Sequence, residues 1–150
     1  MRYLILTLLI ATTFMGCKKD DLGIIDSTPV NVIVHSITVT GFPANNNGVN
    51  WDVFNSNPEL YIKLGANGNS LHETGYKDNA FSNGSYTYNI PNIELNPNGN
   101  ITIWFYDYDA SSSDDYMGGI EFDINQNGTS SNPSFSSNGF SWSMNVTYEY

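Results

Sequence analysis

Four aspartates lie within nine residues of one another in the second half of the chain, at positions 107, 109, 114 and 115. A tyrosine, an alanine and three serines separate them, and no Lys or Arg lies among them. Such closely spaced carboxylates repel one another unless water or a cation screens them. Ca²⁺ prefers oxygen ligands and takes about six to eight of them. The spacing therefore favours a calcium site, and a solvated polar loop is the alternative.

Two further acids, Asp52 and Glu59, lie some fifty residues earlier. Glu59 stands at the start of a run in which Leu60, Ile62 and Leu64 alternate with polar or amphipathic residues, the period of a half-buried strand. Asp107 and Asp109 follow an aromatic, strand-forming run and are two residues apart, so a regular strand would place both on one face. A serine-rich bend lets Asp115 fold back towards them, whereas Asp114 is expected to face solvent.

The rest of the pattern predicts strands and turns, with little or no helix. Seven runs have strand character, at residues 30–40, 60–64, 86–90, 93–95, 101–106, 119–124 and 140–148. A tight turn is predicted at 96–99, and loops at 125–128 and 130–139. Seven or eight short strands predict an all-β domain over residues 30–150, an antiparallel two-sheet β-sandwich.

The first 29 residues are predicted to lie outside this domain. Arg2 precedes an apolar run at 3–14 that is too short to span a bilayer, and Gly16 precedes Cys17, the only cysteine. This resembles a bacterial lipoprotein signal, which implies a cleaved signal peptide at 1–16 and a lipidated Cys17 that begins a linker at 17–29. An ordinary secretory signal with an incidental cysteine is the alternative.

The residues after Cys17 bear on localisation. Lys18-Lys19-Asp20-Asp21 is similar to a tag that directs some lipoproteins to the outer face of the outer membrane. A solvated charged linker explains the same residues equally well. The expectation is a bacterial outer-membrane lipoprotein attached by its lipid anchor, with both the periplasmic and the external face left open.

The two acidic stretches together resemble the calcium loops of C2 domains. Residues 107–118 match the third loop, with its Asp-aromatic-Asp, later Asp and closing Gly, and residues 59–64 match the end of the first loop. Glu59 replaces the family's Asp, and the first loop is one residue longer. The resemblance implies a C2-like sandwich that binds Ca²⁺ between loops at one end. The implied ligands are Asp52, Glu59, Asp107, Asp109 and Asp115.

The expected function is that of a binding or adhesion module of the cell envelope, and the resemblance implies calcium-dependent contact with phospholipid headgroups as one form of it. Val53 and Phe54 could form an apolar loop tip, or they could pack against Trp51. Lys63 and Lys77 are the only cations after residue 19, so Ca²⁺ itself would have to attract the lipid. A purely structural Ca²⁺ is equally compatible with these residues.

A surface module that binds carbohydrate, with Ca²⁺ only structural, is the second hypothesis. Aromatic side chains can stack on sugar rings, although most aromatics at strand spacing belong to a core. Six aromatic residues are candidates, namely Tyr76, Tyr86, Tyr88, Trp142, Tyr148 and Tyr150.

Other classes of function are disfavoured by composition. Lys and Arg number 5 against 15 acids, which gives a formal charge of −10 and no basic surface for nucleic acid. Zinc is disfavoured because His35 and His72 lie on separate segments. Two histidines do not assemble a catalytic triad, and the carboxylates suit a cation better than a glycosidase pair, so no enzymatic activity is expected.

Overall fold

The computed structural model describes residues 28–51, 57–125 and 128–150, and these form a β-sandwich of two four-stranded antiparallel sheets. No helix occurs in these ranges. The predicted all-β class and the eight-strand count are thus confirmed. The strands are β1 (Asn31–Gly41), β2 (Leu60–Ala66), β3 (Asn69–Glu73), β4 (Tyr86–Leu95), β5 (Ile101–Asp107), β6 (Asp115–Phe122), β7 (Ser134–Ser137) and β8 (Phe140–Glu149).

The first sheet has the strand order β4-β1-β8-β7, and the second has the order β3-β2-β5-β6. Apolar residues alternate along the central strands, so that one face of each sheet packs against the other. In β5, for example, Ile103 and Phe105 are fully buried, and Phe105 stacks on Phe140 of the opposite sheet at 4.2 Å between ring centroids. Burial of these two inner faces supplies the core.

Two short strands were not predicted, and both are joined to a neighbour by an Asn-Gly turn. Asn67 and Gly68 connect β2 to β3, and Asn138 and Gly139 connect β7 to β8. All four residues have positive φ, between 51° and 83°, as a two-residue type I′ hairpin requires. The predicted loop at 130–139 is therefore wrong over Ser134–Ser137, where β7 forms.

Strand β4 is continuous where two strands were predicted, at 86–90 and 93–95. The break in the apolar pattern coincides with Asn92, whose φ is 51°, and with a bulge in β1 at His35. The imidazole of His35 is hydrogen-bonded to the Asn92 side chain at 2.7 Å and to the Thr147 hydroxyl at 2.8 Å. These hydrogen bonds stabilise the irregular pairing at this point, and β4 continues across it as one strand.

The predicted turn between β4 and β5 is confirmed. The N–H of Gly99 donates to the carbonyl of Asn96 at 3.0 Å, and the N–H of Asn98 donates to the Asn96 side chain at 2.9 Å. This Asx-type turn links β4 of the first sheet to β5 of the second.

The predicted division of the chain before residue 30 remains a prediction. The signal segment 1–16, Cys17 and the linker up to residue 27 lie outside the described residues, and β1 begins at Asn31. Among the residues that the structure describes, none belongs to a helix capable of crossing a membrane.

We expect Phe105→Ala to lower the free energy of unfolding by about 3–5 kcal/mol, because it removes a fully buried ring from between the sheets. Phe81→Ala is the matched control, since Phe81 is 58% exposed, and its effect should stay within about 0.5 kcal/mol. Urea denaturation followed by tryptophan fluorescence measures both. Equal effects of the two variants would contradict this description of the core.

Candidate metal centre

Three of the predicted ligands meet at one end of the second sheet. Glu59 directly precedes β2, Asp107 is the last residue of β5, and Asp115 is the first residue of β6. Antiparallel pairing places Leu60 opposite Asp107, and Asp107 opposite Asp115. We call the group formed by Glu59, Asp78, Asp107, Asp109 and Asp115 the acidic end of the sandwich.

Asp107 is the most enclosed carboxylate of this group. Its side chain has 0% exposure, and its Oδ1 accepts a hydrogen bond from the backbone N–H of Glu59 at 2.7 Å. The backbone N–H of Tyr108 in turn donates to the Glu59 carbonyl at 3.0 Å. The end of β5 and the entry to β2 are therefore tied together by two hydrogen bonds.

Asp107 and Asp115 are directly paired across β5 and β6, so their side chains lie on the same face of the sheet. Directly opposed residues have Cβ atoms about 4.5–5.5 Å apart, and like charges at that spacing are destabilising. Burial of Asp107 strengthens the repulsion because less solvent screens it. A cation between the two carboxylates would remove this cost.

The loop between β5 and β6 is organised by Asp114. Its Oδ1 accepts from the backbone N–H of Asp109 at 3.1 Å, and its Oδ2 accepts from the Tyr61 hydroxyl at 2.6 Å. Asp114 is exposed, as expected, but its carboxylate has this positioning role that the sequence did not reveal. The loop is thereby held over the outer face of β2.

Asp78 is an additional acid that the sequence did not single out. Glu59, Asp78 and Asp109 line one open cavity of about 220 Å³. A bridge between Leu60 and Lys77, with hydrogen bonds of 2.7 and 3.0 Å, holds Asp78 at this position. This contact joins segments that are distant in sequence, and no local pattern indicates it.

The remaining predicted ligand, Asp52, lies outside the described residues, as do Val53 and Phe54. Within the described ranges, no three His, Cys, Asp or Glu side chains converge closely enough to hold a metal ion by themselves. The acids at this end offer oxygen donors, which are the ligands that Ca²⁺ prefers, whereas zinc sites ordinarily include His or Cys. His35 and His72 lie in β1 and β3, on different sheets.

Exposed apolar side chains surround the acidic end. Tyr76 and Tyr108 are 51% and 37% exposed, and their rings stack in parallel at 4.6 Å beside the cavity. Phe81 is 58% exposed in the loop before β4, and Val49 is 69% exposed in the loop that follows β1. We call these four residues, which lie in loops at the same end of the sandwich as the carboxylates, the apolar rim.

The six aromatic residues considered for carbohydrate binding do not form one surface. Trp142 and Tyr88 are buried in the core, and Tyr86 and Tyr148 pack against it. Tyr76 lies at the acidic end, whereas Tyr150 follows β8 at the opposite end. These residues therefore cannot act together on one ligand.

Solved structures with a similar architecture are known. A C2 domain of plant extended synaptotagmin 1 superposes with a TM-score of 0.50 at 12% identity, covering 81% of this chain and 96% of that domain. The fold is C2-like. Human GIVD cytosolic phospholipase A2, in complex with methyl gamma-linolenyl fluorophosphonate inhibitor and terbium chloride, matches with a TM-score of 0.54 at 16% identity.

The match to the phospholipase covers 82% of this chain but only 18% of the phospholipase chain. The likeness therefore concerns a C2-like fold and does not extend to that enzyme as a whole. Comparisons with protein-family models and with curated proteins gave no match.

Replacing Tyr61 by Phe removes the hydroxyl that donates to Asp114, and with it a phenol whose pKa is raised in the folded chain. Burial, and then the hydrogen bond and negative charge of Asp114, raise the pKa of Tyr61 above its ordinary value of 10.0. Above about pH 10 the unfolded chain therefore ionises this phenol before the folded chain does, and the free energy of unfolding falls as pH rises. We expect the Tyr61→Phe variant to lose less stability than wild type between about pH 9 and 11.

Melting temperatures across this pH range give the measurement, with Tyr150→Phe as a control at a site that is 66% exposed. Parallel pH profiles for wild type and Tyr61→Phe would contradict a raised pKa of Tyr61 in the folded chain.

Proposed function

We propose that this chain is a non-catalytic, calcium-dependent module that contacts phospholipid surfaces through its acidic end. The observation that carries the proposal is the direct pairing of Asp107 with Asp115, beside Glu59 and Asp109, at an end rimmed with exposed apolar side chains. Glu59, Asp107, Asp109 and Asp115 would hold the ion, with Asp52 as the predicted fifth ligand and Asp78 as a further candidate.

Electrostatics explain why Ca²⁺ would act as a switch. The formal charge of −10 opposes approach to an anionic bilayer, and Lys77 is the cation nearest the acidic end in sequence. Bound Ca²⁺ would neutralise the carboxylates locally and offer open coordination positions to headgroup oxygens. Membrane contact would then depend on Ca²⁺ more strongly than it would in a protein with a basic surface.

The apolar rim supplies the second part of the contact. Tyrosine has an apolar ring and a polar hydroxyl, which suits the boundary between headgroups and acyl chains. Tyr76 and Tyr108 stand beside the cavity, and Phe81 and Val49 extend the same rim. These four residues support a membrane-facing surface that does not depend on Val53 and Phe54.

The proposed setting is a bacterial outer membrane. Lipidation of Cys17 would anchor the chain, and residues 18–29 would act as a linker. With its anchor fixed in one membrane, the acidic end could engage either that bilayer or an opposing one. The resemblance of residues 1–17 to a lipoprotein signal supports this setting.

Calcium should raise the melting temperature of the purified chain, and Mg²⁺ at equal concentration should not, because Mg²⁺ demands a tighter octahedral site. Asp109→Asn should weaken the Ca²⁺ affinity by about tenfold or more, since it removes a charged ligand from a loop position. Calorimetric titration and thermal melting are the measurements. Glu94→Gln, which removes one carboxylate from an exposed position in β4, is the matched control. Unchanged melting with either ion, or an Asp109→Asn variant that titrates like wild type, would refute the site.

Vesicle binding separates a membrane role from a purely structural ion. Sedimentation with vesicles of phosphatidylserine and phosphatidylcholine should require Ca²⁺, and a double Tyr76→Ala/Tyr108→Ala variant should lose about tenfold or more in affinity. Tyr150→Ala removes an exposed ring at the opposite end and should bind like wild type. Calcium binding without vesicle binding would leave Ca²⁺ with a structural role only.

A further inference from the structure

The outer face of the second sheet carries aromatic side chains on three neighbouring strands. The solvated face of an antiparallel sheet is ordinarily polar. Here four of the residues that alternate with the buried positions of β2, β5 and β6 are aromatic. We call this surface, formed by Tyr61, Lys63, Trp104, Tyr106 and Tyr116, the aromatic face.

Trp104 lies at the centre of the aromatic face and rests directly on the sheet. Its register partners are Lys63 in β2 and Gly119 in β6. A Cβ atom on Gly119 would come within 2.6 Å of the indole Cδ1, and a Cβ on Gly65 would collide with the six-membered ring. The indole therefore spans from β2 to β6 across two positions without side chains, with one ring surface against the backbone and the other outward. Trp104 is partly exposed.

Three tyrosines border the indole in a row across the strands. Tyr61 stacks on Tyr106 with centroids 5.2 Å apart, and Tyr106 lies 5.4 Å from Tyr116 at a tilt of 57°. Tyr61 is 4% exposed and supports the row, whereas Tyr116 is 55% exposed. Trp104 and Tyr116 are thus the rings that a ligand can reach.

The charges on this face exclude a strongly anionic partner. The Lys63 ammonium is 2.8 Å from Glu73 Oε2 and 4.8 Å from the Tyr106 ring centroid, so its charge is already engaged. Glu121, the register partner of Thr102, adds an exposed carboxylate on the same side. A phosphate-rich ligand would meet net negative charge here, whereas a neutral ligand with hydroxyl groups would find donors and acceptors around a flat ring.

We propose that the aromatic face binds a neutral polysaccharide, with a pyranose ring stacked on Trp104. The ring C–H bonds of a pyranose carry small positive partial charge and complement the negative face of an indole. Sugar hydroxyls would exchange hydrogen bonds with Lys63, Glu73 and the Tyr116 hydroxyl. The site lies on the side of the sheet and uses none of the proposed calcium ligands, so it does not depend on the proposed function.

Affinity electrophoresis in native gels tests this site. Gels cast with hydroxyethyl cellulose, galactomannan or laminarin, all in EDTA, should retard the wild-type chain in at least one polysaccharide. Trp104→Ala should weaken the dissociation constant by about tenfold or more, because it removes the stacking surface. Phe81→Ala, which removes an exposed ring elsewhere, should migrate like wild type, as should Asp109→Asn.

A second variant covers the case in which Trp104→Ala does not fold. Tyr116→Ala removes a mainly exposed ring and should also weaken binding by about tenfold. Polysaccharide should in addition shift the tryptophan emission of wild type, since Trp51 and Trp142 are buried and Trp104 is not.

Three outcomes would overturn the proposal. In the first, wild type migrates freely in every gel. In the second, both variants fold and are retarded as strongly as wild type, which would mean that Trp104 only packs against the two glycines. The third is a Trp104-dependent binding to phosphatidylcholine vesicles with no polysaccharide binding, which would assign the face to lipid.

Discussion

The pairing of β2 with β5 positions residues of both the acidic end and the aromatic face. Seven consecutive residues of each strand are in register, from Leu60 opposite Asp107 to Ala66 opposite Ile101, with no bulge. A slip by one residue would turn all side chains of one strand to the other face. The same register brings Glu59 to Asp107 at the strand ends and Lys63 to Trp104 on the outer face. Burial of Ile62 and Phe105 on the inner face fixes it.

Two carboxylates lie opposite each other at the acidic end, which is an unfavourable electrostatic arrangement in the absence of a cation. The core tolerates Asp107 because the N–H of Glu59 binds one of its oxygens, yet the opposed Asp115 keeps two negative charges close together. The two sheets hold this arrangement by packing elsewhere, notably through the Phe105–Phe140 stack. A cation bound between the two carboxylates would remove their repulsion, and this gain would add to its binding free energy.

Much of the architecture followed from local sequence, and the exceptions have physical causes. Alternating apolar residues predicted β2, an aromatic run predicted β5, and the turn at Asn96 correctly predicted the end of β4 in the other sheet. Strand β7 was missed because its serines carry little hydrophobic signal. The Asn-Gly pairs at 67–68 and 138–139 did mark both missed hairpins, since that dipeptide tolerates positive φ at both positions.

The site was predicted less completely than the fold. The resemblance of residues 59–64 and 107–118 to C2 calcium loops implied that Glu59, Asp107 and Asp109 lie at one end, and the strand bounds place them there. Asp78 could not be found in this way, since a non-local bridge between Leu60 and Lys77 positions it. The aromatic face was missed for a related reason. Trp104 lies in an aromatic run whose sequence does not distinguish inner from outer positions, and only the register shows that two glycines lie beneath its ring.

Strand β1 has a consequence for the order of events during folding. It lies between β4 and β8, and its first residue, Asn31, pairs with Glu149. The hairpins β2–β3 and β7–β8 join residues close in sequence, whereas β1 pairs only with strands that are distant in sequence, β4 and β8. Without β8 the first sheet lacks one of its two central strands, and it cannot fully cover the inner face of the second sheet. Completing the first sheet therefore needs contacts between residues far apart in sequence, such as Asn31 and Glu149, and non-local pairing of this kind slows folding.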